Sequence, residues 1–548
     1  VEEKSLYKTL SEEYTASKSY REKNVEKRWE ESIRLVAMKY GQFGSDPTWA
    51  DARFDTVGTE CASLTSGAFF SNLTPANAPW FRYQATKKKV NENKEVGAYF
   101  EKLTEYMQDV FARSPYYSVG PEWFFIAITI GTSPLDIHED KEDGTGILCS
   151  LPHPRACYVR VDARNRVTSV YERKFWNAEQ AEGMFGEDKL DNILKQAFKD
   201  GDLTEYEFID CVRPRKLKNP GSPLAIDWKY GEYRFRLGDD REMILDESGC
   251  RAFPKPTLRL NLRGNEPYGW SMSDETMPDV RTCNQMVRTM LIAKHRRATP
   301  AKWFPEEGRN WTSNPDAVNY YRDPNRLPHY PDLGVYNQDP KEMDFFQQKV
   351  RRGFKSDQFL MLMQLEGQMT AREIMERKRE GLSVVSSNVG GAERTLDDVH
   401  HRYLQLEYDS GRVQKEIGDP PDELIGPDGS ALMNINYMGP LSQQAKQIAT
   451  ESGIVSAIES CIPIFTLQPE TKYKVKGSMV VDDIWKAHGA PVDTLRDEKE
   501  YAQVLDDMAK RAAQAQAQAM QAVAISKVDP NAKPQQGSPA EAMIGATK

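Results

Sequence analysis

Chemistry on nucleic acid or phosphate needs clustered carboxylates, a phosphate cradle or a basic surface. Clustered carboxylates occur once, in DIHEDKED, Asp136–Asp143. A metal-dependent nucleic-acid enzyme would use such a run as cation ligands. The preferred reading is an acidic turn exposed to solvent. Asp136, His138 and His153 have the side-chain types of an acid/base set, but nothing in their spacing orients them. No Walker A, GxSxG or dinucleotide-binding glycine pattern is present. The run LRLNLRGNE, Leu258–Glu266, lacks the lysine and serine of a P-loop. The expectation is therefore a protein that is not an enzyme, with any ATPase on another chain.

A basic surface is better supported. Arg281, Arg288, Lys294, Arg296 and Arg297 fall in one helical stretch opposed only by Asp279, and Lys349, Arg351, Arg352 and Lys355 fall in a second. Arg281 and Arg288 are one heptad apart and share a face. Such a belt suits phosphate contact without base readout; salt bridges or a solvated face are the alternative. Between the two stretches lie Trp303, Phe304, Trp311, Tyr320, Tyr321, Tyr330 and Tyr336 among six prolines, a composition suited to an interface or a small local core. After the second come Met361, Leu362, Met363, Gln364, Leu365 and Glu366, whose apolar members either line a soft collar or pack a helix end. Trp80 and Phe81, after Pro79, read as a buried plug.

The seven cysteines are scattered, with no CxxC pair, and read as reduced thiols. The histidines form no HxxxH or HExxH, and adjacent His400 and His401 point about 100° apart on a helix, so no metal and no cofactor is expected. With a net charge of -9 and pI near 5.6, the chain is not a tight DNA binder overall. That balance is compatible with a conduit that DNA slides through. Mean hydropathy is -0.67 and no run of eighteen apolar residues occurs, so no membrane span is expected. The charged start, VEEKSLYKTLSEEY, lacks a signal-peptide apolar region and suggests synthesis in a cytoplasm.

Two to four domains are expected for 548 residues. Residues 1–40 read as helix, as do about 54–70 and 96–113; an apolar stretch follows over 121–131. From 132 to 256 short β-type runs alternate with turn residues, interrupted by a helix over 177–201, which makes this an α+β region. A helix from Pro278, placed in its first turn, to Ala298 and a second over 341–361 form a hairpin around the insert 300–340. Thr370 and Glu373 form a capping box, a loop spans 381–391, and a long helix runs over 392–416. A short strand lies in LMNINYMGP; helices fill 441–462 and 492–525, before a low-complexity tail at 526–548.

Four segments then resemble the head-to-tail connector, or portal, family of T7-like podoviruses. They are RFDTVGTECASLTSGAFFSNLTPANAPWF (53–81), EPYGWSMSDETMPDVRTCNQM (266–286), MTAREIMERKRE (369–380) and INYMGPLSQQAK (435–446). The third is close to the family's Met-Thr-Ala-Thr-Glu-Val, with Arg372 for the second Thr and Ile374 for Val; Thr370 and Glu373 are kept. Their order spans nearly the whole chain.

The resemblance implies an α+β, mainly helical portal fold with wing, stem, clip and crown, assembling as a ring of about twelve subunits, with thirteen as the alternative. The wing would be 1–265 with 392–439. The stem would be 266–299 and 341–361, the clip 300–340, the tunnel-loop region 362–391, the crown 440–525 and the flexible tail 526–548. The tunnel loop is expected at 361–369, with 381–391 as second choice. Implied partners are further copies, double-stranded DNA passing without sequence specificity, terminase, major capsid and scaffold proteins, internal core proteins, and tail adaptor and nozzle proteins. The implied location is a capsid vertex of the virion, after assembly in the host cytoplasm. A metal-dependent nucleic-acid enzyme and a structural phage protein without a channel are the rival readings.

Overall fold

The computed structural model describes residues 2–41, 53–87, 90, 93–140, 146–216, 224–238, 244–298, 340–363, 389–424, 433–443 and most of 500–517. These fall into two compact units, Val1–Lys446 and Gln447–Lys548. In the second, the described residues of 500–517 are helical and largely exposed.

The first unit is mixed and mostly helical. Its helices are α1 (Glu2–Asn24), α2 (Glu26–Leu35), α3 (Val57–Leu73), α4 (Lys94–Arg113), α5 (Tyr116–Ile130), α6 (Ala178–Phe185), α7 (Asn192–Asp200), α8 (Met272–Ala298), α9 (Pro340–Gly353), α10 (Ser356–Met363), α11 (Val389–Asp409) and α12 (Arg412–Glu416). Strands β5 (Cys157–Val161), β6 (Val167–Trp176), β7 (Tyr206–Pro214), β8 (Tyr230–Arg236) and β9 (Ile244–Cys250) make an antiparallel five-stranded meander. Helices α6 and α7 are inserted between β6 and β7. The other strands among the described residues form three two-stranded ladders. They pair β1 (Phe81–Ala85) with β11 (Met433–Tyr437), β2 (Thr132–Pro134) with β10 (Thr257–Arg259), and β3 (Asp136–Glu139) with β4 (Ile147–Ser150).

The main core gathers α3, α4, α5, β1 and α11 around buried Trp80, Phe81, Phe111, Tyr116 and Tyr403. Trp80 and Phe81 are indeed buried, and Trp80 Nε1 donates to Tyr117 at 2.9 Å. One face of the meander is aromatic and is covered by α1 through Tyr7, Leu10 and Tyr14. The cysteines among the described residues are free and buried; Cys461 lies outside them.

Several boundaries differ from expectation for local reasons. The first helix is two, because Val25 leaves helical geometry and caps α2. The helix over 177–201 is also two, each with its own cap: Asn177 pairs with Gln180 in a capping box, and Asp191 accepts the Leu194 N–H at 2.8 Å. The apolar stretch from 121 is helical from Tyr116 and runs through Pro121. Pro278 is not in the first turn of α8. Ser271 and Asp274 exchange backbone-to-side-chain hydrogen bonds of 2.8 and 2.9 Å and start the helix earlier. The second hairpin helix breaks at Phe354–Lys355, where Lys355 has φ of 59° and Thr65 Oγ1 donates to the Phe354 carbonyl at 2.9 Å. The long helix breaks at Gly411, whose φ of 70° favours glycine.

Candidate functional site

The basic helices α8 and α9 pack antiparallel. Thr276 faces Gly353, where an added Cβ would meet Thr276 Oγ1 at 2.3 Å, so the close approach requires a glycine. Val280 and Cys283 of α8 and Val350 of α9 join the main core, and Lys349 Nζ lies 3.9 Å from Asp279. The root of α8 is held by α2. Ser32 Oγ meets Ser273 Oγ at 2.7 Å, and Arg28 stacks over Trp270 and lies 3.6 Å from Asp274. Toward the far end, Leu291, Ile292 and Phe345 are exposed.

Arg281 and Arg288 share a face, as their spacing requires, lining a groove with Glu31, Arg34, Phe54 and Asn284. They are not equivalent. Nε and Nη2 of Arg281 both donate to the Glu31 carboxylate, which raises the guanidinium pKa further. Arg288 is exposed, 5.8 Å from the Phe54 ring. Lys294 and Arg352 are exposed; Arg351 and Lys355 are half-buried, and burial lowers the Lys355 pKa. The backbones of Arg296 and Arg297 end α8. The expected belt is thus interrupted: Arg281 and Lys349 face acids of their own chain, while Arg288, Lys294 and Arg352 present charge to solvent.

Met361, Leu362 and Met363 form the end of α10, so the expected tunnel loop does not begin at 361; Gln364, Leu365 and Glu366 lie outside the described residues. So do the aromatic residues Trp303, Phe304, Trp311, Tyr320, Tyr321 and Tyr330.

A second constellation was missed in the sequence. Cross-strand pairing aligns Cys157, Glu172, Asp210, Arg234 and Asp246 as one row across the meander. Fully buried Lys255 reaches into it, bonded to Glu172 and 3.5 Å from both Asp136 and Asp210. Lys174 adds a 2.9 Å contact to Asp210, and Arg234 one of 2.8 Å to Asp246. Burial alone would raise the carboxyls of Asp136 and Asp210, but Lys255 together with Lys174 and His138, and Arg234 for Asp210, outweighs it and holds both well below the usual range.

His138 completes the group, with Nε2 2.8 Å from Asp136 and Nδ1 3.8 Å from Glu232. Burial opposes its charge, yet Asp136 and Glu232 raise its pKa. The run from Asp136 is therefore not an exposed acidic turn at its start: Asp136–Glu139 is a strand, and Asp136 is buried. His138 and Asp136 do meet, against expectation, while His153 packs on Tyr40 elsewhere. Glu172 and Lys174 of β6 and Glu232, Arg234 and Arg236 of β8 recur at alternate positions and so share a face within each strand, but only the pairing of the strands brings them together.

This arrangement can hold the β3–β4 ladder and the Lys255 segment to the sheet. Its carboxylates face cations, and among the described residues no three His, Cys, Asp or Glu side chains are placed to hold a metal. No described helix is long and apolar enough to cross a membrane.

Residues 7–495 match the family described as bacteriophage head to tail connecting protein. The chain is 24% identical over 411 residues to a probable portal protein of Bordetella phage BPP-1, covering 73% of this chain and 72% of that one. It is 22% identical over 488 residues to the portal protein of Salmonella phage epsilon15, covering 85% and 84% respectively. A mixed, mostly helical unit with a long antiparallel helix pair, matched across nearly its whole length, belongs to the family of bacteriophage head to tail connecting proteins.

Proposed function

We propose that copies of this chain assemble into a ring of about twelve at one capsid vertex, forming a channel for double-stranded DNA during packaging and ejection. Membership of the family carries this reading. The helix pair α8–α9 supports it: 27 residues of α8 span about 40 Å, with one end tied into the core and exposed apolar side chains at the other.

In this reading 1–265 with 392–439 is the wing, and 266–299 with 341–361 is the stem. Residues 300–340 are the clip, 362–391 hold the tunnel loop, 440–525 are the crown, and 526–548 are the tail. Arg288, Lys294 and Arg352 touch phosphates in passing, without reading bases. The partners are terminase, which supplies the force, major capsid and scaffold proteins, internal core proteins, and tail adaptor and nozzle proteins. The protein acts as a structural conduit in the virion.

Single-particle electron microscopy of the purified chain at moderate salt tests this. Rings with a central hole wide enough for duplex DNA are expected. Monomers or closed dimers without a hole, at the same concentration, would overturn it.

A further inference from the structure

The two ends of the five-stranded sheet carry opposite charge. At one end, the β5–β6 turn, the start of β8 and the first turns of α11 enclose a cleft of about 800 Å³. Arg164, Arg166, Lys229, Arg259 and Arg394 line it, against Asp397 and Asp398. Asp162, beside it, accepts backbone N–H groups of Arg164 and Arg166 at 2.8 Å. Arg259 is half-buried and bonded to Asn165 and the Pro267 carbonyl, whereas Arg164, Arg166, Lys229 and Arg394 are exposed. Leu262, 45% exposed, supplies apolar surface to the same cleft.

At the other end of β6 stands the lobe of α6 and α7. Outward carboxylates there are Glu179, Glu182, Glu187, Asp188, Asp200, Asp202 and Glu205, against Lys189, Lys195 and Lys199; Asp191 is buried against Arg236. Met184, Ile193 and Leu203 are 54%, 49% and 73% exposed amid these acids. Trp176 pairs with Tyr206 beneath the lobe, while Val167 lines the cleft, so one ten-residue strand separates the two patches by about 30 Å.

We infer that the acidic α6–α7 lobe of one copy docks against the basic cleft of the next, head to tail. The inference rests on the ring reading above and names the contact that closes it. A self-complementary patch makes a two-fold dimer, whereas two different complementary patches make a head-to-tail contact, which closes into a ring where the rotation between neighbours allows it. Here the patches differ, oppose each other in charge, and lie at opposite ends of one rigid sheet. Apolar side chains on both sides give the contact a dry centre, and the charges form its rim and set its register.

Charge reversal in the full-length chain tests this. One variant carries Arg166→Glu and Arg394→Glu; a second carries Glu182→Lys and Glu187→Lys. Each alone should form about tenfold less ring than the parent by sedimentation and electron microscopy. Mixed one to one, they should recover rings of alternating subunits, because each reversed patch then meets its complement. Recovery also shows that both variants fold.

If both variants form rings alone as well as the parent does, the contact is wrong and the ring stands. If neither assembles alone or mixed, the pairing is overturned. A parent chain that forms no ring removes the ring reading and this inference with it.

Discussion

The Tyr83 hydroxyl and His400 Nδ1 stand 2.8 Å apart inside a closed aromatic shell, joining β1 to α11. Trp80, Phe81 and Phe111 surround the imidazole, with ring centroids 5.1, 4.4 and 4.9 Å away. His400 is fully buried and held neutral, and Nε2 has no hydrogen-bond partner among the described residues. The hydrogen bond between the Tyr83 hydroxyl and Nδ1 is thus the one polar contact of the ring among these residues, its direction following the imidazole tautomer. Replacing His400 by Phe strands the buried Tyr83 hydroxyl, at a cost of about 1–3 kcal/mol. Tyr83→Phe strands Nδ1 similarly. The double variant should recover much of the loss in a denaturant cycle; strictly additive losses would show that the pair does not interact.

The histidines predict opposite limbs of the pH profile. Burial lowers the pKa of His400, and burial with Arg155 and Arg21 lowers that of His153 to about 4. A histidine depressed in the folded state adds stability that is present above its unfolded value, about 6.5, and is lost as pH falls below it. Each adds a slope approaching about 1.4 kcal/mol per pH unit. His138 is raised, so its contribution is full below about 6.5 and is lost as pH rises through its folded value. Melting midpoints across this range should fall toward acid, less steeply in His153→Asn, and His138→Gln should remove part of any alkaline decline. A His153→Asn slope equal to the parent's would refute the acid-side assignment.

Lys255 stands among Asp136, Glu172 and Asp210. Lys255→Met leaves these carboxylates buried without their shared cation, and the expected loss is about 3–5 kcal/mol. Urea midpoints measure it. A shift below about 1 kcal/mol, the size of a surface pair, would mean that Lys174 and Arg234 already compensate the group.

The Gly353–Thr276 approach gives a suppressor test. Gly353→Ala puts a Cβ into the Thr276 side chain, and about 1–3 kcal/mol of overpacking is expected. Adding Thr276→Ala removes the two nearest atoms and should restore part of the melting temperature. No recovery would place the damage in the α9–α10 break and not at the helix contact.

Local signals carried much of this fold. The helical periodicity of α1 and α2, the β texture before Pro256 and the burial of Trp80 and Phe81 were all legible. The start of α8 differs from expectation because the Ser271–Asp274 box, which begins seven residues before Pro278, sets it. The charge row could not be read, because Glu172, Asp210 and Arg234 meet only through strand register, and Asp136 finds Lys255 far along the chain. Asp136 looked like surface because its partner is nonlocal. Arg281 likewise looked free because Glu31 lies on another helix.

The ladder of β1 with β11 joins Phe81 to Tyr437 and Ala85 to Met433. Its two halves leave the ribosome far apart in time. About 350 residues separate them, and at bacterial elongation rates β1 waits roughly 20–70 s for its partner. During that interval Phe81 and Tyr83 have no strand to cover them, and α3, α4 and α5 are available to shelter them first. The nascent chain thus reaches its closed form only once β11 has been made, and a truncated product lacking β11 leaves a strand edge open to other chains.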